Sequence, residues 1–301
     1  MSSLENRGKM RIRIDAVQRL AMWHCFSAHT PFVRICEYPK SGGTWLGQII
    51  AGYLELPFPR NRRPPIKRMQ PCVLHGHHLY HDRVKNIVCI LRDGRDVMTS
   101  AYYHILNHHR SLFINDPVWQ VLPSQDYRDV ELNMPAFLEY MFTRPAFGGK
   151  RFARKKVSWR TFTQSWLEHD ANIVRYEDML EDASTAVAPV LHRLTGEAPD
   201  MWRLQEVALQ FSFKNQTSRR PGEEDTSHFL RKGVAGDWRN KFTSEACEVF
   251  KHFAGDTLIQ AGYEQDLSWS NVPPTEEASP CFKRASLAMK DKNLAVSAEL
   301  S

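Results

Sequence analysis

Two kinds of apolar spacing alternate along the chain. Pro31-Phe32-Val33-Arg34-Ile35-Cys36 and Asn86-Ile87-Val88-Cys89-Ile90-Leu91 are short, nearly continuous apolar runs, the pattern of strands buried on both faces of a parallel sheet. Ala171-Asn172-Ile173-Val174-Arg175-Tyr176 reads as a third strand. Helical spacing follows at Thr44 to about Leu54, Asp96 to Leu106 and 178–194, and recurs at 198–210 and 243–262. Upstream, Ile14, Val17, Leu20, Ala21 and Met22 predict a further helix within Ile14 to Phe26. Strand, loop and helix in alternation predict an α/β fold, a parallel central sheet flanked by helices, with ligands at the carboxyl ends of the strands.

Other stretches carry no such period. Pro57, Pro59, Pro64, Pro65 and Pro71 make 56–71 a loop. The segment 107–160 mixes aromatics, prolines and the basic cluster Lys150-Arg151-Arg154-Lys155-Lys156, and reads as a variable cap or substrate region over the sheet. The expected organisation is an extension over 1–30, one domain over 31–265 and a disordered tail over 266–301.

Composition adds limits. Of 301 residues, 42% are apolar and 25% charged, ordinary for a globular protein that buries a sizeable core. The net charge of +6 suits an anionic small ligand. Cys25, Cys36, Cys72, Cys89, Cys247 and Cys281 are scattered without a C-x-x-C pair, which predicts core thiols in a reducing compartment. No run approaches a membrane span, and Met1 to Met10 lacks the apolar region of a signal peptide. The expected location is cytoplasmic.

The candidate chemistry starts at Tyr38-Pro39-Lys40-Ser41-Gly42-Gly43-Thr44-Trp45, between the first strand and the first helix of the sheet. A glycine loop there gathers unpaired N–H groups at a helix N-terminus, with Lys40 beside them: a site for phosphate or sulfate. It is not the G-x-x-x-x-G-K-[ST] loop of Mg-nucleotide sites, because its lysine precedes the glycines. Arg92 ends the second strand, where a buried guanidinium calls for an anion, and Ser100 lies two helical turns beyond. Arg231, Lys232 and Gly233 form a second cationic cluster suited to a terminal phosphate.

In that order the three segments resemble one family. The first resembles the 5′-phosphosulfate loop of sulfotransferases that use 3′-phosphoadenosine 5′-phosphosulfate (PAPS). Arg92-Asp93-Gly94-Arg95-Asp96-Val97-Met98-Thr99-Ser100 resembles their 3′-phosphate motif. Phe229-Leu230-Arg231-Lys232-Gly233-Val234-Ala235-Gly236-Asp237-Trp238-Arg239 resembles their late R-K-G-x-x-G-D-W motif. The resemblance runs from about Val33 to Tyr263. It implies a P-loop-type three-layer fold and transfer of a sulfuryl group from PAPS to a hydroxyl or amine of a small molecule. It also implies that Lys40, Ser41, Gly42, Gly43, Thr44, Trp45, Arg92, Ser100, Arg231, Lys232 and Gly233 bind the donor. Trp45 and Phe213 would flank its adenine, with Tyr176 hydrogen-bonding the base.

Such a transfer needs a base for the acceptor proton, a task suited to histidine. Leu74-His75-Gly76-His77-His78-Leu79 lies where the family carries a Lys-(Ser/Thr)-His triplet. The family spacing puts the base on His77 and His75 in the lysine position, with His75 and His78 as alternatives. Lys40 would stabilise the leaving phosphate and Ser100 would restrain Lys40. A metal at His75, His77 and His78 is not expected, since the sequence suggests no Cys or carboxylate beside them. The competing readings are a P-loop kinase, which would use Asp93 for Mg²⁺, and a non-catalytic nucleotide or nucleic-acid binder resting on Arg60-Asn61-Arg62-Arg63. Tyr102, Tyr103, Phe113, Trp119, Phe142 and Phe147 are the candidate aromatic lining for an acceptor. Of the family's dimer motif only Arg239, Thr243 and Glu248 match, with Ser244 in the valine position, which leaves a homodimer open.

Overall fold

The computed structural model describes residues 32–59, 71–108, 116–144 and 157–270. The predicted helix at 14–26, the basic clusters at 60–63 and 150–156, Phe113, Phe147, Cys25, Cys281 and the tail from 271 lie outside them.

Among the described residues four strands form the sheet: β1 (Val33–Glu37), β2 (Val73–Gly76), β3 (Ile87–Leu91) and β4 (Ile173–Arg175). They lie side by side in the order β2-β1-β3-β4, every pair parallel. Ile35 is level with His75 on one side and with Val88 on the other. The helices are α1 (Gly43–Tyr53), α2 (Gly94–Tyr103), α3 (Val118–Val121), α4 (Val130–Thr143), α5 (Trp159–Leu167), α6 (Tyr176–Thr195), α7 (Met201–Gln210), α8 (Phe213–Thr217) and α9 (Ser244–Gln260). A π-helical turn over His104–His108 extends α2, and a 3₁₀ turn spans Asp237–Asn240.

The two-residue period of the strands divides the core into two layers. Val33, Ile35, Val73, Val88 and Ile90 face α1, α6 and α7 and pack on Leu46, Ile50, Val187 and Leu204. Cys36, Leu74, Cys89 and Leu91 face the other way and join Val97, Phe137, Trp159, Trp166 and Phe250 from α2, α4, α5 and α9. The result is the three-layer sandwich expected from the sequence.

Two expectations need correction. The strand count of three is short by one: Val73-Leu74-His75-Gly76, within the histidine segment, is a further strand beside β1. The middle segment, where described, is not a cap: α4 and α5 bury Met134, Phe137, Leu138, Met141, Phe162 and Trp166 in the main core. Tyr102 is likewise wholly buried, its hydroxyl donating to Tyr127 O at 2.8 Å. Trp119 is core, and Phe142 packs between Phe250 and Phe253. Cys36, Cys72, Cys89 and Cys247 are buried free thiols, as predicted. Among the described residues no helix is long and apolar enough to cross a membrane.

Candidate active site

The loop between β1 and α1 turns on two left-handed residues, Lys40 (φ 78°) and Gly42 (φ 102°). A lysine in that region carries backbone strain, which persists where the surroundings impose it. Gly42 is required twice over, because a Cβ there would fall 2.6 Å from the Tyr176 ring. At Gly43 a Cβ would fall 2.7 Å from the Glu37 carboxyl carbon. The Gly42 carbonyl accepts the N–H groups of Trp45 and Leu46, which starts α1. Ser41 is buried, and Trp45 meets Tyr176 edge to face with centroids 5.8 Å apart.

Three separated segments close on this loop. Arg92, at the carboxyl end of β3, donates to Lys40 O (3.3 Å) and Val234 O (3.1 Å) and lies 4.1 Å over the Tyr176 ring. It thus ties the loop, the start of α6 and the late segment together. Lys40 Nζ stands 4.0 Å over the Phe229 ring and 3.5 Å from Phe229 O. Lys40, Ser100, Tyr103, His104, Phe229 and Arg231 line one small cleft. Arg231 is gripped by Glu224 and by Asp237, the latter at 2.6 Å, and Lys232 Nζ donates to Asp237 at 2.5 Å. These two cations hold the Asp237 acid at about 2: burial would raise it, but Arg231 and Lys232 outweigh burial. Phe213 stacks on the backbone of Gly233, where a Cβ would fall 2.5 Å from its ring.

The histidines sit at the other end of the loop. Glu37 and His75 have the same parity on neighbouring strands, so their side chains share one face of the sheet, and His77 follows just beyond the end of β2. The Glu37 carboxylate accepts Gly43 N–H at 2.6 Å on one oxygen and meets His75 Nε2 at 2.8 Å with the other. His77 Nδ1 lies 3.0 Å from the Glu37 carbonyl oxygen. A carbonyl can only accept, so Nδ1 carries the proton and Nε2 keeps its lone pair. That is the tautomer a base requires. Removal from water lowers His77 to about 4, with His75 adding and Glu37 opposing. The residue also keeps open surface, and in either environment its ring is neutral at pH 7. Burial alone would raise Glu37; the His75 hydrogen bond, the two imidazoles and Gly43 N–H bring it down to about 2. His78 is engaged differently, its backbone N–H and carbonyl both meeting Cys36 Sγ at 3.1 Å.

Sequence reasoning missed Glu37. Its signal was a carboxylate closing an otherwise buried strand directly before the loop. The expectation that no carboxylate stands beside the histidines is therefore overturned: Glu37 does. Asp93 is consumed elsewhere, since its oxygens accept from Arg95 N, Nε and Nη2 at 2.7–3.2 Å. It is not poised to hold Mg²⁺, which removes the feature that favoured a kinase.

The parallel sheet, the glycine loop at the end of β1 and the cationic groups above it define an anion-binding α/β enzyme fold of P-loop type. The chain belongs to the sulfotransferase domain family, which it matches over residues 69–262. It is 27% identical to Sulfotransferase 1E1 of Cavia porcellus, the match covering 76% of this chain and 83% of that protein. It is 25% identical to the 3-alpha-hydroxysteroid sulfotransferase of Cavia porcellus, covering 77% and 85%. Among solved structures, mouse sulfotransferase SULT7A1 complexed with PAP superimposes with a TM-score of 0.56 at 20% identity, covering 82% of this chain and 92% of that one. Retinol dehydratase in complex with androsterone and PAP gives 0.51 at 17% identity, covering 81% and 85%.

Proposed function

We propose that this sulfotransferase uses PAPS and sulfates a hydroxyl of a small-molecule acceptor, with His77 as base. The observation that carries the reading is the convergence of Lys40, Ser100 and Arg231, from three distant segments, on one cleft. The residues also fit a doubly phosphorylated donor. Arg92 Nε and Arg231 Nε are buried without a hydrogen-bond partner among the described residues, and such donors call for an anionic acceptor. Gly42 and Gly233 leave their aromatic neighbours room that a Cβ would fill. Trp45 and Tyr176 would meet the adenine, with Phe213 on its far side.

The bound donor supplies an activated sulfuryl group for in-line transfer. His77 Nε2 takes the acceptor proton while Glu37 O holds the ring in register. Lys40 stabilises charge on the leaving side, a role supported by its position with Ser100 on the same cleft. Arg92, Arg231, Lys232 and the loop Ser41-Gly42-Gly43-Thr44 hold the phosphates. This chemistry needs no metal. The acceptor is small, the reaction needs neither nucleic acid nor a membrane, and the free buried thiols suit the cytoplasm. Homodimerisation through Arg239, Thr243 and Glu248 has competition: Arg239 donates to Ser270 O, Thr243 caps α9, and Glu248 pairs with Lys251.

The test is twofold. Adenosine 3′,5′-diphosphate should raise the melting temperature without magnesium, where Mg-ATP should not. Labelled PAPS should transfer its label to at least one class among phenols, steroids and aliphatic alcohols. Stabilisation by Mg-ATP alone would overturn the reading.

A further inference from the structure

The geometry points to a second function of the histidine cluster: Glu37, His75 and His77 form a site for a divalent transition metal of the zinc class, whose occupancy blocks the base. A ring nitrogen from each histidine and a Glu37 carboxylate oxygen all lie within 4.8 Å of one another. Two imidazoles and one carboxylate, with a fourth position left to water, make a familiar donor set for Zn²⁺. Ideal tetrahedral donors at about 2.0–2.1 Å from the metal stand about 3.4 Å apart. The 2.8 Å between His75 Nε2 and Glu37 Oε1 must open slightly and the longer separation must close. The exposed His77 ring can tilt inward to close the longer separation while Nδ1 keeps its bond to Glu37 O.

The surroundings support ligation as well as the donors do. Outer hydrogen bonds commonly orient metal ligands. Here Gly43 N–H holds one Glu37 oxygen at 2.6 Å, leaving the other turned toward His75. The Glu37 carbonyl fixes the His77 ring through Nδ1. One residue thus contributes a ligand from its side chain and a positioning acceptor from its backbone. A metal entering would replace the proton that His75 Nε2 now shares with Glu37; that proton moves to Nδ1 of the same ring or to solvent. The exposed side of His77 gives a path in.

A cation coordinated by His77 occupies the lone pair that would accept the acceptor proton. Metal binding itself is independent of the sulfuryl-transfer reading; the inhibition rests on it. The full chain, freed of metal by a chelator, would be titrated with Zn²⁺ by calorimetry and with Co²⁺ by visible absorption. One saturable site per chain is expected, with Co²⁺ bands of nitrogen–oxygen ligation. His75→Ala and Glu37→Gln should each weaken binding at least tenfold, and His78→Ala should not. Circular dichroism would establish folding; if Glu37→Gln fails to fold, His75→Gln at the half-buried strand edge replaces it. Absence of saturable binding, binding unchanged in the folded variants, or sulfur-to-cobalt charge-transfer bands would overturn the site. Zn²⁺ should abolish PAPS-dependent transfer reversibly, with adenosine 3′,5′-diphosphate binding unchanged; stimulation by Zn²⁺ would overturn the blocking role. If no transfer is found under any condition, the cobalt titration still decides the site.

Discussion

In its proposed role as base, His77 would separate being held from reacting: Nδ1 is spent on Glu37 O, and Nε2 is left for the acceptor proton. Replacement by alanine should lower kcat by about 10²- to 10⁴-fold, the range for a general base. Affinity for adenosine 3′,5′-diphosphate should stay within about twofold, since His77 does not line the cleft of Lys40, Ser100 and Arg231. Near-normal turnover would shift the role to His75. Because removal from water lowers His77 to about 4, the neutral, competent form already dominates above pH 5. The acid limb of kcat/KM should therefore fall below pH 6. A limb at 6.5 would mean that the exposed ring titrates as it does in water. Gly42 tests the loop in another way. Alanine there meets both a φ of 102° and the Tyr176 ring 2.6 Å away, so a loss of about 1–3 kcal/mol is expected. Denaturant unfolding would measure it, and unchanged stability would mean that the ring yields freely.

Whole elements bring distant motifs to this site, and Asp96 on α2 shows how. Its carboxylate, 1% exposed, accepts Gly236 N–H at 2.6 Å and Trp238 N–H at 3.0 Å. That pins the late cationic segment against the helix that carries Ser100. Asp96→Ala strands the buried Trp238 N–H and the half-buried Gly236 N–H, and a buried N–H costs about 1–3 kcal/mol when unsatisfied. Calorimetry should show weaker binding of adenosine 3′,5′-diphosphate by about tenfold, with kcat at saturating donor much less affected. Equal binding would mean that Arg231 and Lys232 hold their places without this anchor. Local patterns exposed β3 and the loop to sequence reading, because a strand buried on both faces and a glycine-rich turn each announce themselves within a few residues. β2 did not: it is four residues long, with His75 and Gly76 inside it. The Glu37–His75 pair was hidden for the same reason, since only the parallel register of β1 and β2 brings the two together. Tyr102, Trp119 and Phe142 looked like an acceptor lining because apolar composition does not say which side of a helix faces the core.

At the scale of the molecule, Glu177 is the acid that joins the parts. It begins α6, accepts Asp93 N–H at 3.0 Å from the turn after β3, and accepts the Tyr263 hydroxyl at 3.2 Å from beyond α9. Burial raises its pKa to about 7, with Asp93 adding while the Asp93 N–H and Arg92 oppose. The sign follows from proton counting. Between pH 4.5 and 7 the folded chain keeps a proton that the unfolded chain has lost, so rising pH removes stability over that window. The full effect is about 3 kcal/mol, and above pH 7 it no longer changes. Glutamine can accept the Asp93 N–H through its carbonyl without ionising. The melting temperature of the parent should therefore fall between pH 5 and 8 by several degrees more than that of Glu177→Gln, the two converging at pH 5. Parallel curves would mean that Glu177 ionises at the same pH folded and unfolded. In that case the junction of sheet, α6 and the end of α9 would be held by packing around Tyr263 and not by a shared proton.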